Sequence, residues 1–158
     1  CARSGRRLTV AGDGPELARL RRRVAELGAG DRIEFLGFVS GSRLEDLMRR
    51  HRAFLFPGVE DFGITPLEAT ACGLPVIARA EGGALDTVVD GLNGRLYPGG
   101  DAQALRVALD AFEAEDRRWD EAAMRAHAAS FSRDRFAARL AERLEAAVER
   151  GAVRSPGS

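Results

Sequence analysis

Apolar runs and helix-spaced apolar positions alternate along the chain. The segment 7–12, Arg-Leu-Thr-Val-Ala-Gly, predicts a strand that stops at glycine. Asp13, Gly14, Pro15 and Glu16 then turn into a helix on which Leu17, Leu20, Val24 and Leu27 recur at three- and four-residue steps, before Gly28 and Gly30 end it. Residues 32–37 predict a second strand. Ser42 caps a short helix through Met48, with Leu44, Leu47 and Met48 on its apolar side. Residues 53–57 are apolar throughout, the pattern of a strand buried on both faces. A helix over 65–71, a fourth strand over 75–78, a Gly82-Gly83 turn with a short helix through Val88 and Val89, a turn cluster over 90–94 and a last strand over 95–97 follow. Helices fill the remainder. Asp101 caps one carrying Leu105, Ala108, Leu109 and Phe112; a second covers 121–128; Ser132 caps the last, with Phe136, Leu140, Leu144 and Val148 on one stripe. Residues 151–158, rich in Gly, Ser and Pro, predict a disordered tail after a single domain over 1–150.

This alternation argues for an α/β fold, a Rossmann-like, mostly parallel sheet with helices on both faces and a helical C-terminus. Ligands of such sheets sit at the carboxyl ends of the strands, which singles out the loops 12–15, 37–42, 57–65 and 80–83. A length of 158 residues suits one domain with its own core, and 45% apolar with 30% charged residues suits a globular chain. Formal net charge is zero, so overall charge gives no case for nucleic acid. The arginines of the first helical stretch are mixed with Glu16 and Glu26 and read as a solvated face. Cys1 and Cys72 form neither a metal spacing nor a disulfide framework, and Cys72 among small apolar residues reads as a buried thiol. His51 and His127 are isolated, so no metal site is expected. No apolar run approaches the roughly 18 residues of a membrane span, and no signal peptide is visible. The pattern opens in mid-course at Cys1, as a fragment of a longer chain would.

The informative chemistry lies between Pro57 and Glu68. Gly63 lets a ligand approach the backbone closely. Thr65 suits an N-cap and Pro66 the first helical position, and the amides of that helix start, with its dipole, favour an anion such as a diphosphate. Glu68 has two readings. Thr65-Pro66-Leu67-Glu68 is a capping box, in which Thr65 and Glu68 satisfy each other's amides; alternatively the carboxylate accepts two ribose hydroxyls. Glu60, beside Asp61 at the mouth of a buried strand, is either part of a solvated acidic turn or a carboxylate that grips sugar hydroxyls.

The stretch from Glu60 to Glu68 resembles the E-x7-E element of the retaining glycosyltransferases of the GT-B fold, family 4. The likeness continues in order through Leu8-Thr9-Val10-Ala11-Gly12-Asp13-Gly14-Pro15, Arg32-Ile33-Glu34-Phe35-Leu36-Gly37-Phe38-Val39, Ala71-Cys72-Gly73-Leu74-Pro75-Val76-Ile77-Ala78, Gly82-Gly83 and Asp90-Gly91-Leu92-Asn93-Gly94. Glu60-Asp61-Phe62-Gly63-Ile64 and Gly82-Gly83-Ala84-Leu85-Asp86-Thr87-Val88 look closest to mannosyltransferases of bacterial polysaccharide assembly. The resemblance implies that Glu60 contacts the donor hexose, that Phe62, Gly63, Ile64 and Thr65 present loop and amides to sugar and diphosphate, and that Glu68 binds ribose. It implies that Phe38 and Val39 meet the base, with Leu44 packing nearby; ordinary core packing is the other reading for these three. Gly12 either contacts the ligand or ends its strand.

The chain departs from the family pattern in two ways. Asp86 stands where the family carries Glu after the Gly-Gly turn. The family's first strand, its Arg and Lys clamp for the diphosphate and its acceptor-binding N-terminal domain are expected before Cys1. That strand would lie between those at 8–11 and 53–56, so a gap or a re-paired sheet is expected. The resemblance implies transfer of a hexose, mannose above others, from a nucleotide diphosphate sugar to a glycan or lipid-linked hydroxyl, with retention and without a cofactor. GDP-mannose is the favoured donor and a UDP-sugar the alternative. This chain would be the donor-binding part, inactive alone, of a cytoplasmic protein able to sit peripherally at the inner membrane through the N-terminal domain. A nucleotide-sugar-binding module without turnover and a GT-B nucleotide-sugar epimerase are the competing readings.

Overall fold

The computed structural model describes residues 4–115 and 117–152, with side chains described as far as Val148. Five strands and seven helices follow in the order β1 (Leu8–Ala11), α1 (Leu17–Glu26), β2 (Ile33–Gly37), α2 (Ser42–Arg49), β3 (Phe54–Phe56), α3 (Ile64–Ala71), β4 (Val76–Arg79), α4 (Ala84–Thr87), β5 (Gly94–Tyr97), α5 (Ala102–Ala114), α6 (Glu121–Ala129) and α7 (Arg133–Ala152). Every strand pairing is parallel, as the α/β reading requires. The sheet is in two parts. β1 pairs with β2, β3–β4–β5 form a second sheet, and among the described residues no ladder joins β1 to β3. The interruption falls where the family resemblance places a further strand.

The core follows the alternation of β4. Val76 and Ala78 pack with Phe56, Met48, Ala69, Leu74, Ala84 and Val88 against α2, α3 and α4. Ile77 points the other way, onto Tyr97 and Leu109, with Leu105, Ala108 and Phe112 of α5 alongside. Helices thus cover both faces of the three-stranded sheet, and Val76, Ile77 and Ala78 are fully buried. Burying one such aliphatic side chain contributes about 1.5–3 kcal/mol. No residue of β1 or β2 reaches full burial. α1 covers them in part, with Arg21 stacked over the Phe35 ring at 5.2 Å. His51, which follows α2, bonds the Thr9 hydroxyl at 3.0 Å and the Leu47 carbonyl at 2.7 Å, and so ties β1 to α2.

Three local expectations are adjusted and one holds. α2 starts from Gly41, whose φ of 59° suits glycine, so Ser42 is its first helical residue rather than its cap. Asp101 does cap α5, accepting from the Ala104 amide at 2.7 Å. The apolar stripe Phe136, Leu140, Leu144 and Val148 of α7 lies exposed instead of facing the core. α7 continues through Gly151 and Ala152, and the rest of the expected tail, 153–158, lies outside the described residues.

Candidate functional site

β3 ends at Phe56 and the chain leaves it through an exposed loop, Pro57 to Phe62, before α3 begins. Gly63 is the N-cap of α3, in the left-handed conformation at φ 78° and ψ 62°. That conformation strains any residue with a Cβ, which explains a glycine here. The capping-box reading therefore fails. With Gly63 as cap, Ile64 is N1 and Thr65 N2, so Thr65 has helical geometry and cannot cap the Glu68 amide. No side chain caps α3, and the amides of Gly63, Ile64 and Thr65 find no acceptor among the described residues. Pro66, at N3, has no amide to satisfy. Glu68 is exposed and free of any capping duty.

Glu60 is exposed as well, but its backbone is fixed: its carbonyl accepts the Gly83 amide at 2.7 Å. Phe62 is about half exposed, and its ring meets Phe131 edge-on at 6.3 Å. Ile64 is 64% exposed, while Thr65 is half-buried. At the ends of β1 and β2 lies a second group. The Gly12 amide donates to the Gly37 carbonyl at 2.8 Å, Phe38 next to it is 78% exposed, and Val39 turns into the interior. Leu44 packs against the core around Met48 and Phe56, the second of its two readings. The structure thus gathers Glu60, Phe62, Gly63, Ile64, Thr65 and Glu68 at the carboxyl end of β3. It places Gly12, Phe38 and Val39 at the carboxyl ends of β1 and β2. Asp86 lies exposed on α4.

Several residues that hold this arrangement were not legible as such. Asn93, fully buried, donates to the Thr70 hydroxyl and to the Thr87 carbonyl, each at 3.0 Å, and accepts the Val89 amide at 2.7 Å. Thr70 in turn donates to the Pro66 carbonyl and Thr87 to the Gly83 carbonyl, both at 2.9 Å. One asparagine therefore links α3 to α4. His127 of α6 reaches the same Thr87 carbonyl through Nε2 at 3.0 Å, which requires the proton on that nitrogen, and packs on Phe131 at 5.3 Å. The Gly82-Gly83 doublet and the turn cluster signalled positions 83 and 93; nothing in the pattern pointed to Phe131.

A groove of about 330 Å³ opens at the other end of the strands, lined in part by Met48, Arg49, Cys72 and Arg125. None of the candidate residues lines it. Cys72 is half-buried rather than buried as expected, and that burial pushes its thiol up from the ordinary value. No helix among the described residues is long and apolar enough to cross a membrane.

Residues 2–131 match the family described as glycosyl transferases group 1. The chain is 36% identical over 122 residues to a GDP-mannose-dependent alpha-(1-6)-phosphatidylinositol monomannoside mannosyltransferase of Mycolicibacterium smegmatis, covering 70% of this chain and 31% of that protein. It is 38% identical over 140 residues to a D-inositol 3-phosphate glycosyltransferase of Stackebrandtia nassauensis, covering 85% and 32%. The chain thus spans about a third of the length of these relatives. Among solved structures, Anabaena Alr3699/HepE in complex with UDP superposes with a TM-score of 0.74 at 27% identity, over 92% of this chain and 43% of that one. Sucrose-phosphate synthase of Thermosynechococcus elongatus gives 0.65 at 32% identity, over 80% and 33%. The parallel sheet, its flanking helices and these matches agree with the C-terminal domains of GT-B glycosyltransferases. The chain belongs to the glycosyl transferases group 1 family.

Proposed function

We propose that the full-length protein is a retaining hexosyltransferase of family 4 that moves mannose from GDP-mannose to a hydroxyl acceptor, and that this chain holds the donor. The observation that carries the reading is the uncapped start of α3, with free amides at Gly63, Ile64 and Thr65, set between the exposed carboxylates of Glu60 and Glu68. The diphosphate lies on those amides, where backbone N–H groups and the helix dipole favour negative charge. Glu60 accepts hydroxyls of the hexose, and Glu68, on the next turn of α3, accepts those of ribose. Phe38, Val39 and Gly12 border the base.

As the bond from the anomeric carbon to the diphosphate breaks, charge builds on the leaving phosphate. Donors already aimed at it lower the barrier without reorganising. Glu60 orients the sugar so that the acceptor oxygen attacks the face the leaving group held. The Mycolicibacterium relative, with GDP-mannose and a phosphatidylinositol mannoside in its name, supports this donor and a lipid-linked acceptor. The Anabaena structure with UDP and glucose, at 28% identity, supports a UDP-sugar as the competing donor.

Transfer from radiolabelled GDP-mannose and UDP-glucose by the full-length protein tests the reading, with NMR of the product anomer testing retention. Glu60→Ala is expected to lower kcat about 100-fold. Unchanged transfer from every accepted donor would remove Glu60 from the site. Glu68→Ala is expected to weaken nucleotide diphosphate binding about 10- to 100-fold, the loss of a hydrogen bond to a charged group. Calorimetry showing unaltered affinity would end the ribose assignment.

A further inference from the structure

Gly82 and Gly83 form the turn that starts α4, and the exposed loop after β3 lies directly on them. A Cβ built on Gly83 would stand 2.5 Å from the Cα and carbonyl carbon of Phe62 and 2.6 Å from its oxygen. One on Gly82 would stand 2.6 Å from the Glu60 carbonyl oxygen and 3.0 Å from Val59 Cγ1. Between these approaches the Gly83 amide donates to the Glu60 carbonyl at 2.7 Å. The two glycines also differ. Gly82 has φ +62°, a conformation that favours glycine by itself. Gly83 has φ −62° and ψ −14°, ordinary helical values that any residue adopts. Its own backbone therefore gives no reason for glycine at 83; the Phe62 backbone does. The turn is in turn held by Thr87, whose hydroxyl donates to the Gly83 carbonyl within the Asn93 network.

We propose that Gly83 is a positioning residue for the sugar-holding loop: its missing side chain and its amide set the path of Glu60 to Phe62, and hence where the Glu60 carboxylate meets the hexose. This rests on the donor-site reading above. Alanine at 83 must push the Phe62 backbone back by about 1 Å to restore ordinary carbon–carbon separation. A shift of that size at a positioning element costs about 100-fold in rate. The helix start itself would not suffer, since alanine has a higher helix propensity than glycine.

The full-length protein and its Gly83→Ala and Glu60→Ala variants are compared by GDP-mannose turnover, by calorimetric binding of GDP and GDP-mannose, and by thermal unfolding. For Gly83→Ala the expected result is a lowered unfolding midpoint from the Phe62 backbone contact, an unchanged affinity for GDP, a lost preference for GDP-mannose over GDP, and kcat lowered about 100-fold. Wild-type turnover and sugar preference in Gly83→Ala overturn the proposal while leaving the donor site intact. If Glu60→Ala also keeps wild-type turnover and preference, the donor-site reading itself has failed. Amide hydrogen exchange of Gly83 in the wild-type protein decides the matter should the variant not fold. Slow exchange supports the bond to Glu60, and exchange at the rate of an open loop overturns it.

Discussion

Asn93 shows how much of this site depends on a single buried group. Its amide satisfies Thr70, Thr87 and Val89 at once, and so joins α3 to α4 and the turn after it. Replacement by alanine leaves the Val89 amide without its acceptor and the Thr87 carbonyl with one donor fewer. Asn93→Ala is expected to destabilise the fold by about 2–3 kcal/mol, read from the midpoint of chemical unfolding. An unchanged midpoint would mean that water replaces the side chain at no cost. Glu60 and Glu68 were legible in the sequence as carboxylates flanking a helix start, because their spacing and the glycine between them carry that signal locally. Asn93 read only as a turn residue and His127 as isolated, because their partners lie 23 and 40 positions away. Such pairs become visible only once the fold brings them together.

Helix ends carry the next set of consequences. The apolar periodicity located the seven helices among the described residues, but the cap of α3 was misread by two positions, Thr65 for Gly63. Thr-Pro is a strong local cap signal, and left-handed Gly63, two residues earlier, overrode it. The correction matters because it frees both the α3 amides and the Glu68 carboxylate for a ligand. α5 is tied to the segment before β1 by Arg6, which bonds Asp110 at 2.6 Å and Glu113 at 2.7 Å. The hydrogen bond from Arg6 holds the Glu113 carboxyl below its usual range, and the same pair raises the Arg6 guanidinium. A depressed carboxyl stabilises the fold above its unfolded value, near pH 4.3, and loses that contribution as pH falls through the lower folded value. Arg6→Ala is therefore expected to lower the unfolding midpoint at pH 7. The difference from wild type should vanish at pH well below 4, with both carboxylates half exposed and the effect correspondingly small. A difference that persists in acid would assign it to packing of the Arg6 stem.

At the level of the molecule, the sheet is the main departure from a continuous Rossmann-like fold. The parallel order and the two covered faces were legible, because strand–helix alternation admits few topologies. The break between β1 and β3 was legible only through the family resemblance, since no local pattern records a strand that is not there. In β1 and β3 the residues bonded to their neighbours include Leu8, Gly12 and Phe54, which leaves the amides of Thr9, Ala11 and Leu55 on the side of the break. If a strand completes the sheet in the full-length protein, these three amides exchange fast in the 158-residue chain and slowly in the longer one; fast exchange in both would contradict it. The central claim is that α3 receives the donor diphosphate between Glu60 and Glu68. A crystal structure of the full-length protein with GDP-mannose tests it most directly. The account requires phosphate oxygens within about 3 Å of the Ile64 and Thr65 amides, with Glu60 on hexose hydroxyls and Glu68 on ribose. A diphosphate seated away from the start of α3 would contradict it.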